Sequence, residues 1–220
     1  MKKIILYTVN DGLFTLPIIK RICGDLHKKF TIDIFIGKPN FIRKIKVLLV
    51  FILFGSLSNL IILFKRRTKL NDLSKIKNVS IVNNNKKNYY FGLSMNYPKK
   101  ILLQNYNIYN FHLGNFLSQR GSFIFFYKYL YKWKTLDLTF HKINNNYDSG
   151  LILNQKTESI KNKNATDICL LYNNNHRFIK KSITQIKKKN KNKFVSGKLN
   201  IEPSFYLIIK VYILRTLKIY

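Results

Sequence analysis

Residues 107–121 read N-I-Y-N-F-H-L-G-N-F-L-S-Q-R-G, and residues 141–150 read H-K-I-N-N-N-Y-D-S-G. In the first block apolar and polar residues alternate up to His112, the pattern of a strand. Side chains two apart on a strand share a face, so Asn110 and His112 project together from its end. In the second block Asp148 follows on a turn-rich stretch with Asn145, Asn146, Ser149 and Gly150. An amide, an imidazole and a carboxylate brought together can polarise a carbonyl and move a proton.

The two blocks resemble the formyltransferases that use 10-formyltetrahydrofolate, whose motif is roughly N-x-H-P-S-L-L-P-x-Y-R-G followed by H-x(6)-D-x-G. Asn110, His112, Arg120 and Gly121 keep the first spacing, and His141, Asp148 and Gly150 keep the second. Leu113 and Leu117 replace prolines of the motif, and Gln119 replaces its tyrosine. These departures bear on the path of the loop and on the substrate class more than on the reaction. The resemblance implies catalytic roles for Asn110, His112 and Asp148. It also implies a folate pocket formed by Met95, Asn96, Tyr97 and Ile101 together with Asn146 and Tyr147. Tyr97 reads either as a ring stacked on the folate or as a core tyrosine. His141 reads as a support for the Asp148 loop.

The resemblance sets the expected fold as α/β: a Rossmann-like, mostly parallel sheet with helices on both faces, forming a single formyltransferase domain. Residues 1–204 are expected to form the catalytic core, and residues 205–220 an amphipathic helical tail. The expected donor is 10-formyltetrahydrofolate, and the expected acceptor a small primary amine. A nucleotide-linked amino sugar comes first as acceptor, and a methionyl-tRNA-like amine second. Only 72 residues follow Asp148. That is too few to finish the core and add the tRNA-holding barrel of methionyl-tRNA formyltransferases. Asn-Asp-Gly at 10–12 is not a dinucleotide-binding glycine pattern.

The rest of the chain agrees with strand–helix alternation. Strands are expected at 4–9, 30–36, 78–82, 89–95, 108–112, 136–143 and 151–155. Helices are expected at 13–29, at 122–131, and from a cap at Thr166 or Asp167 as far as Lys187, with a short one at 101–103. Residues 47–64 carry no charge and are flanked by Arg43, Lys44, Lys46, Lys65, Arg66 and Arg67. That segment is open to three readings: a packed helix or helix pair, an interfacial contact with a membrane, or a span. Lys187 to Lys193 reads as a solvated loop.

Forty Lys and Arg stand against nine Asp and Glu, a formal charge of +31. Such an excess suits an anionic partner: nucleic acid, a nucleotide-sugar or a membrane surface. A composition rich in Lys, Asn and Ile also follows from coding bias, and both readings stay open. Cys23 and Cys169 are the two cysteines; with no Cys-x-x-Cys pair and few acids, no metal site is expected. The N-terminal apolar run breaks at Asn10 and Asp11, so it reads as a first strand rather than a signal peptide. The expected location is the cytoplasm, with peripheral membrane contact as the variant. A second class of function is a catalytically degenerate protein of this fold that binds nucleic acid or a membrane surface.

Overall fold

The computed structural model describes residues 1–11, 13–65, 67–84, 88–97, 101, 105–144, 150–187 and 199–219. The chain opens with strand β1 (Lys2–Val9), helix α1 (Thr15–Leu26) and strand β2 (Phe30–Gly37). Helices α2 (Phe41–Phe54), α3 (Leu57–Lys65) and α4 (Leu70–Ser74) lead to β3 (Val79–Val82) and β4 (Gly92–Met95). Strand β5 (Ile108–Leu113), the two-residue β6 (Arg120–Gly121) and α5 (Ile124–Tyr131) come next. The hairpin β7 (Thr135–Ile143) and β8 (Gly150–Ser159) precedes the short helices α6 (Ala165–Cys169), α7 (Leu171–Asn174) and α8 (His176–Thr184). Strand β9 (Leu199–Asn200) and helix α9 (Phe205–Thr216) close the chain.

Seven strands form one sheet in the order β3-β2-β1-β4-β5-β7-β8, and β6 pairs with β9 apart from it. The pairs from β3 to β5 are parallel, while β5–β7 and β7–β8 are antiparallel. The expected mostly parallel α/β sheet is therefore present. Ile4 to Tyr7 is buried without interruption, as a central parallel strand requires. The strand order reverses beside β1, between β2 and β4. Open α/β sheets bind ligands at the carboxyl ends of their strands, near such a reversal.

The two faces of the sheet are covered differently. Ile4, Leu6, Ile32, Leu93, Phe111 and Phe140 pack against Leu16, Ile19 and Cys23 of α1 and against Phe178 and Ile179 of α8. On the opposite face, Ile5, Tyr7 and Ile108 pack with Tyr89, Tyr97, Ile101 and Tyr106. In that cluster the described cover comes from loop residues. A further core joins α2, α5, α6 and α9 through Val50, Phe54, Phe126, Ala165, Ile208 and Val211.

Local chemistry explains where elements start and stop. The Asp11 carboxylate accepts from the backbone N–H groups of Leu13 (3.0 Å) and Phe14 (3.3 Å) just ahead of α1. Asn40 caps α2 by accepting from Arg43 N at 2.7 Å. The uncharged stretch 47–64 is a helix pair rather than one helix. It breaks at Gly55–Ser56, where Ser56 N donates to Thr166 Oγ1 at 3.2 Å. Among the described residues no helix is long and apolar enough to cross a membrane.

The single helix expected up to Lys187 is three short helices and a 3₁₀ turn instead. Its cap is Asn164, which exchanges hydrogen bonds with Asp167 in a capping box, not Thr166 or Asp167. The break falls at the Asn173–Asn175 run. Asn175 leaves the helical region (φ −113°, ψ 41°), and its Nδ2 donates to Leu171 O at 2.9 Å. Asparagine amides compete with helical backbone bonds in this way. The helix expected at 101–103 and the loop expected at 187–193 fall mostly outside the described residues.

Candidate active site

A polar row crosses the second face of the sheet. Tyr7 on β1 is in register with Ser94 on β4, Ser94 with Asn110 on β5, and Asn110 with His141 on β7. Residues opposite one another across a ladder share a face. The four side chains therefore stand side by side on the face that lacks the α1 cover. His112 stands two residues further along β5, opposite Thr139. The expected pairing of Asn110 and His112 on one face is thus present.

Each group is held from behind. His141 Nδ1 lies 3.3 Å from Lys142 O, and because that acceptor is a carbonyl, Nδ1 carries the proton. His141 Nε2 is then an acceptor, and it takes a hydrogen bond from Asn110 Nδ2 at 3.2 Å. Phe116, almost fully buried, meets the His141 ring edge-on at a centroid distance of 4.6 Å and prevents it from turning. His141 thus steadies Asn110, a role that its place in the sequence did not reveal. The signal lies in strand register, which one sequence does not carry.

His112 is buried, and its Nε2–H donates to the Gln119 carbonyl at 2.8 Å. The loop 114–119 folds back beneath it. Asn115 Oδ1 accepts from the N–H groups of Leu117 (3.0 Å) and Ser118 (2.9 Å). Gln119 Nε2 donates to Thr135 O at 3.0 Å, and its Oε1 accepts from Asp137 N at 3.3 Å. Thr139 Oγ1 donates to Gly114 O at 2.7 Å. Side-chain amides therefore hold this loop against β7 in the absence of the motif prolines. Gln119 in place of tyrosine is one of its fasteners. Leu117 is exposed. Arg120 and Gly121 make β6 and pair with Leu199 and Asn200.

Asp148, Asn146 and Tyr147 lie outside the described residues. The hairpin that carries them is closed by the pair Ile143 and Gly150. Gly150 has φ +131°, and a Cβ there would lie 2.0 Å from Lys142 O, so this end of the Asp-x-Gly block admits only glycine.

The described part of the expected folate pocket divides. Met95 is buried, with its side chain in the core shared with α1, on the face opposite Asn110. Alternation along β4 dictates this, because Ser94 takes the site face. Asn96 turns the chain with φ +55° and donates from Nδ2 to Thr15 Oγ1 at 2.9 Å. Tyr97 is half-buried, with its ring edge-on to Tyr7 at 5.4 Å and tilted on Phe35 at 6.1 Å. Burial, and then proximity to Tyr7, holds its phenol above the ordinary value. Ile101 packs on the same aromatic cluster, in which Tyr7 and Tyr106 join their hydroxyls at 2.6 Å. An open cavity of about 750 Å³ elsewhere on the molecule is lined by Arg21, Asn154, Lys156, Arg177 and Lys181 and contains none of these residues.

No protein-family model and no curated protein matches the chain by sequence. Solved structures do match by shape. An N-formyltransferase from Helicobacter canadensis, in complex with folinic acid and dTDP-3-aminofucose, superposes with a TM-score of 0.63. It is 15% identical over 99% of this chain and 82% of its own. WlaRD, a sugar 3N-formyltransferase solved with dTDP and 5-N-formyl-THF, gives 0.60 at 18% identity over 92% of this chain and 69% of its own. A methionyl-tRNA formyltransferase from Clostridium thermocellum gives 0.52 at 12% identity, over 97% and 82%. The sheet order, the reversal beside β1 and the antiparallel strands after β5 are thus those of a known architecture: the chain has the formyltransferase fold.

Proposed function

We propose that this protein transfers a formyl group from 10-formyltetrahydrofolate to a primary amine, and that the acceptor is a nucleotide-linked amino sugar. The observation that carries the proposal is the juxtaposition of Asn110 and His112 on one face of β5, braced by His141 and Gln119, within a formyltransferase fold. Two of the similar structures, one solved with dTDP and 5-N-formyl-THF and one with folinic acid and dTDP-3-aminofucose, support this choice of acceptor class.

The residues present fit a folate. Beside the polar row, the half-buried rings of Tyr97 and Tyr106 pack around the buried Tyr7, an aromatic cluster against which a flat heteroaromatic ring would lie. Backbone groups after Met95 would hold its polar edge. When bound, the folate supplies the carbon that the amine attacks.

The chemistry assigned to the chain is electrostatic and protonic. Asn110 Nδ2 keeps one N–H beyond the one given to His141, and this N–H stabilises the negative charge that gathers on the formyl oxygen. His112 already uses Nε2–H toward Gln119 O, so proton exchange goes through Nδ1. Asp148 supports the charged imidazole and accepts the proton that the amine loses. In balance, one C–N bond forms to the acceptor and one breaks at the folate. The acceptor amine gives up one proton, and the released folate nitrogen gains one.

The test is turnover by purified protein with 10-formyltetrahydrofolate and a panel of dTDP- and UDP-linked amino sugars, with methionyl-tRNA alongside. Formylation of a sugar amine is expected, and His112→Ala should abolish it while far-UV circular dichroism stays unchanged. Absence of turnover with every acceptor refutes the proposal. Formylation of methionyl-tRNA alone refutes the acceptor assignment but leaves the reaction standing.

A further inference from the structure

Three helices, α2, α3 and α9, carry large apolar residues that are exposed, and α2 and α9 carry buried ones as well. Helix α2 buries Val50, Phe51 and Phe54. A second stripe, Phe41, Ile45, Leu48 and Ile52 at spacings of four, three and four, is 40 to 75% exposed. Helix α3 repeats the pattern with Leu57, Ile61 and Phe64, all exposed, and buries no residue fully. Helix α9 buries Ile208 and Val211 but exposes Tyr206, Ile209 and Ile213. Among the described residues 23 large apolar ones are exposed; nine fall within 41–64 and eight within 201–219, so the exposure is concentrated rather than scattered. The three helices contribute to one core and are therefore neighbours. A helix apolar on all sides is expected to be covered on all sides.

Charge identifies the cover. Between 41 and 69, and again between 199 and 220, the sole carboxylate side chain is Glu202, which pairs with Arg43 at 3.4 Å and Lys46 at 3.1 Å. Lys44, Lys65, Lys210 and Lys218 are exposed among the apolar stripes. At the end of α9 a cavity of about 320 Å³ is lined, among the described residues, by Lys128, Lys132, Lys134, Lys161 and Arg215 around Trp133 and Tyr129, none of which carries a carboxylate. Arg215 stacks over the Tyr129 ring at 4.7 Å, and Lys128 is more than nine-tenths buried. Such a concentration of positive charge draws anions toward this end of α9. A second copy of a chain with charge +31 would bring the same sign to the contact. A bilayer containing anionic lipids offers both apolar depth and phosphate. Helix α2, at 14 residues, is about 21 Å long, short of the ~30 Å hydrocarbon core, so it suits lying in the interface and not crossing it.

We infer that α2, α3 and α9 form a face that seats on an anionic membrane surface, with the basic cavity at the end of α9 receiving a lipid phosphate. Exposed lysines at the rim reach the headgroups while their stems lie along the apolar stripes. This inference does not depend on the formyl-transfer assignment.

The experiment is sedimentation of the full chain with vesicles of phosphatidylcholine alone and of phosphatidylcholine mixed with phosphatidylglycerol, at low and high salt. Binding to the mixed vesicles, with a fraction that survives high salt, is expected. The triple variant Leu48→Ser, Ile52→Ser, Ile61→Ser alters exposed positions only and should weaken partitioning at least about tenfold. Lys44→Glu, Lys65→Glu, Lys210→Glu should weaken it by a similar factor at low salt. Thermal melts establish that both variants fold. Three results would overturn the inference: no sedimentation with either vesicle, sedimentation unaffected by the serine substitutions, or a concentration-dependent dimer that those substitutions dissociate in place of vesicle binding.

Discussion

Replacing Gly114 by Ala should damage stability and turnover together, through one carbonyl. Gly114 has φ +128°, and a Cβ added there would lie 1.9 Å from Gln119 O and 2.7 Å from Gln119 Cβ. That oxygen is the acceptor for His112 Nε2 at 2.8 Å. A carbon and an oxygen do not approach within 3 Å, so the carbonyl must move by about 1 Å. A shift of that size takes the His112 contact beyond hydrogen-bond range. The backbone conformation costs about 1–3 kcal/mol for a residue with a side chain, and the lost bond about 0.5–1.5 kcal/mol. The sum, about 1.5–4.5 kcal/mol, corresponds to a fall in Tm of roughly 3–18 °C for a chain of this size. Turnover should drop about 100-fold, because a reacting group displaced by ~1 Å loses that much. Gly24→Ala is the control. Gly24 lies within α1, an added Cβ there meets nothing within 4 Å, and alanine should raise stability by about 0.5–1 kcal/mol. Differential scanning calorimetry and a formyl-transfer assay on both variants decide the matter. A Gly114→Ala protein that melts and turns over like the parent would refute the account of how His112 is held.

His141→Phe keeps the contact with Phe116 but removes the acceptor for Asn110 Nδ2. We expect kcat to fall roughly 10- to 100-fold with little change in KM, since a loosened oxyanion donor acts mainly in the transition state. Unchanged steady-state constants would show that Asn110 needs no such support. Burial raises the Asp11 carboxyl above its ordinary value near 3.8, against hydrogen bonds from Leu13, Phe14 and Thr15 that lower it. The folded chain therefore binds this proton more tightly than the unfolded chain. The stabilisation is full below 3.8 and fades as pH rises through the raised value. Asp11→Asn should remove that slope from denaturation midpoints measured across the window. Burial pushes the Cys23 thiol up to about 12, so it should resist alkylation at neutral pH until denaturant is added. Reaction in the native protein, detected by mass spectrometry, would contradict its burial.

Most of the sheet is legible in the sequence because its strands are short apolar runs ended by Asn, Gly or Pro. Ile4 to Val9 and Phe30 to Ile36 announce themselves in this way. The shared face of Asn110 and His112 is equally legible, since it follows from the two-residue repeat alone. Other features depend on pairing and stay hidden. Nothing local places His141 opposite Asn110, because antiparallel register is set by the whole hairpin. Nothing in 89–97 announces that Ser94 takes the site face and Met95 the core, since the parity of a short strand shifts with its boundary. The asparagines at 173–175 are a visible warning of a helix break, but only the competing bond from Asn175 to Leu171 makes the break definite. Residues 47–64 defeat periodicity because apolar residues occur on both sides of the helices.

The position of β5 within the sheet has a dynamic consequence. It is hydrogen-bonded along one edge to parallel β4 and along the other to antiparallel β7. From Tyr109 to Phe111 its amides are flanked on both edges, so they should exchange with solvent only when the whole domain opens. Asn110 therefore inherits the stiffness of the sheet interior, and His112, one residue past the last β4 pairing, is held by β7 and by the Gln119 carbonyl. On the proposed function, an adjustment that accommodates one acceptor over another would then come from the segments draped over the strand ends, leaving the spacing along β5 unchanged.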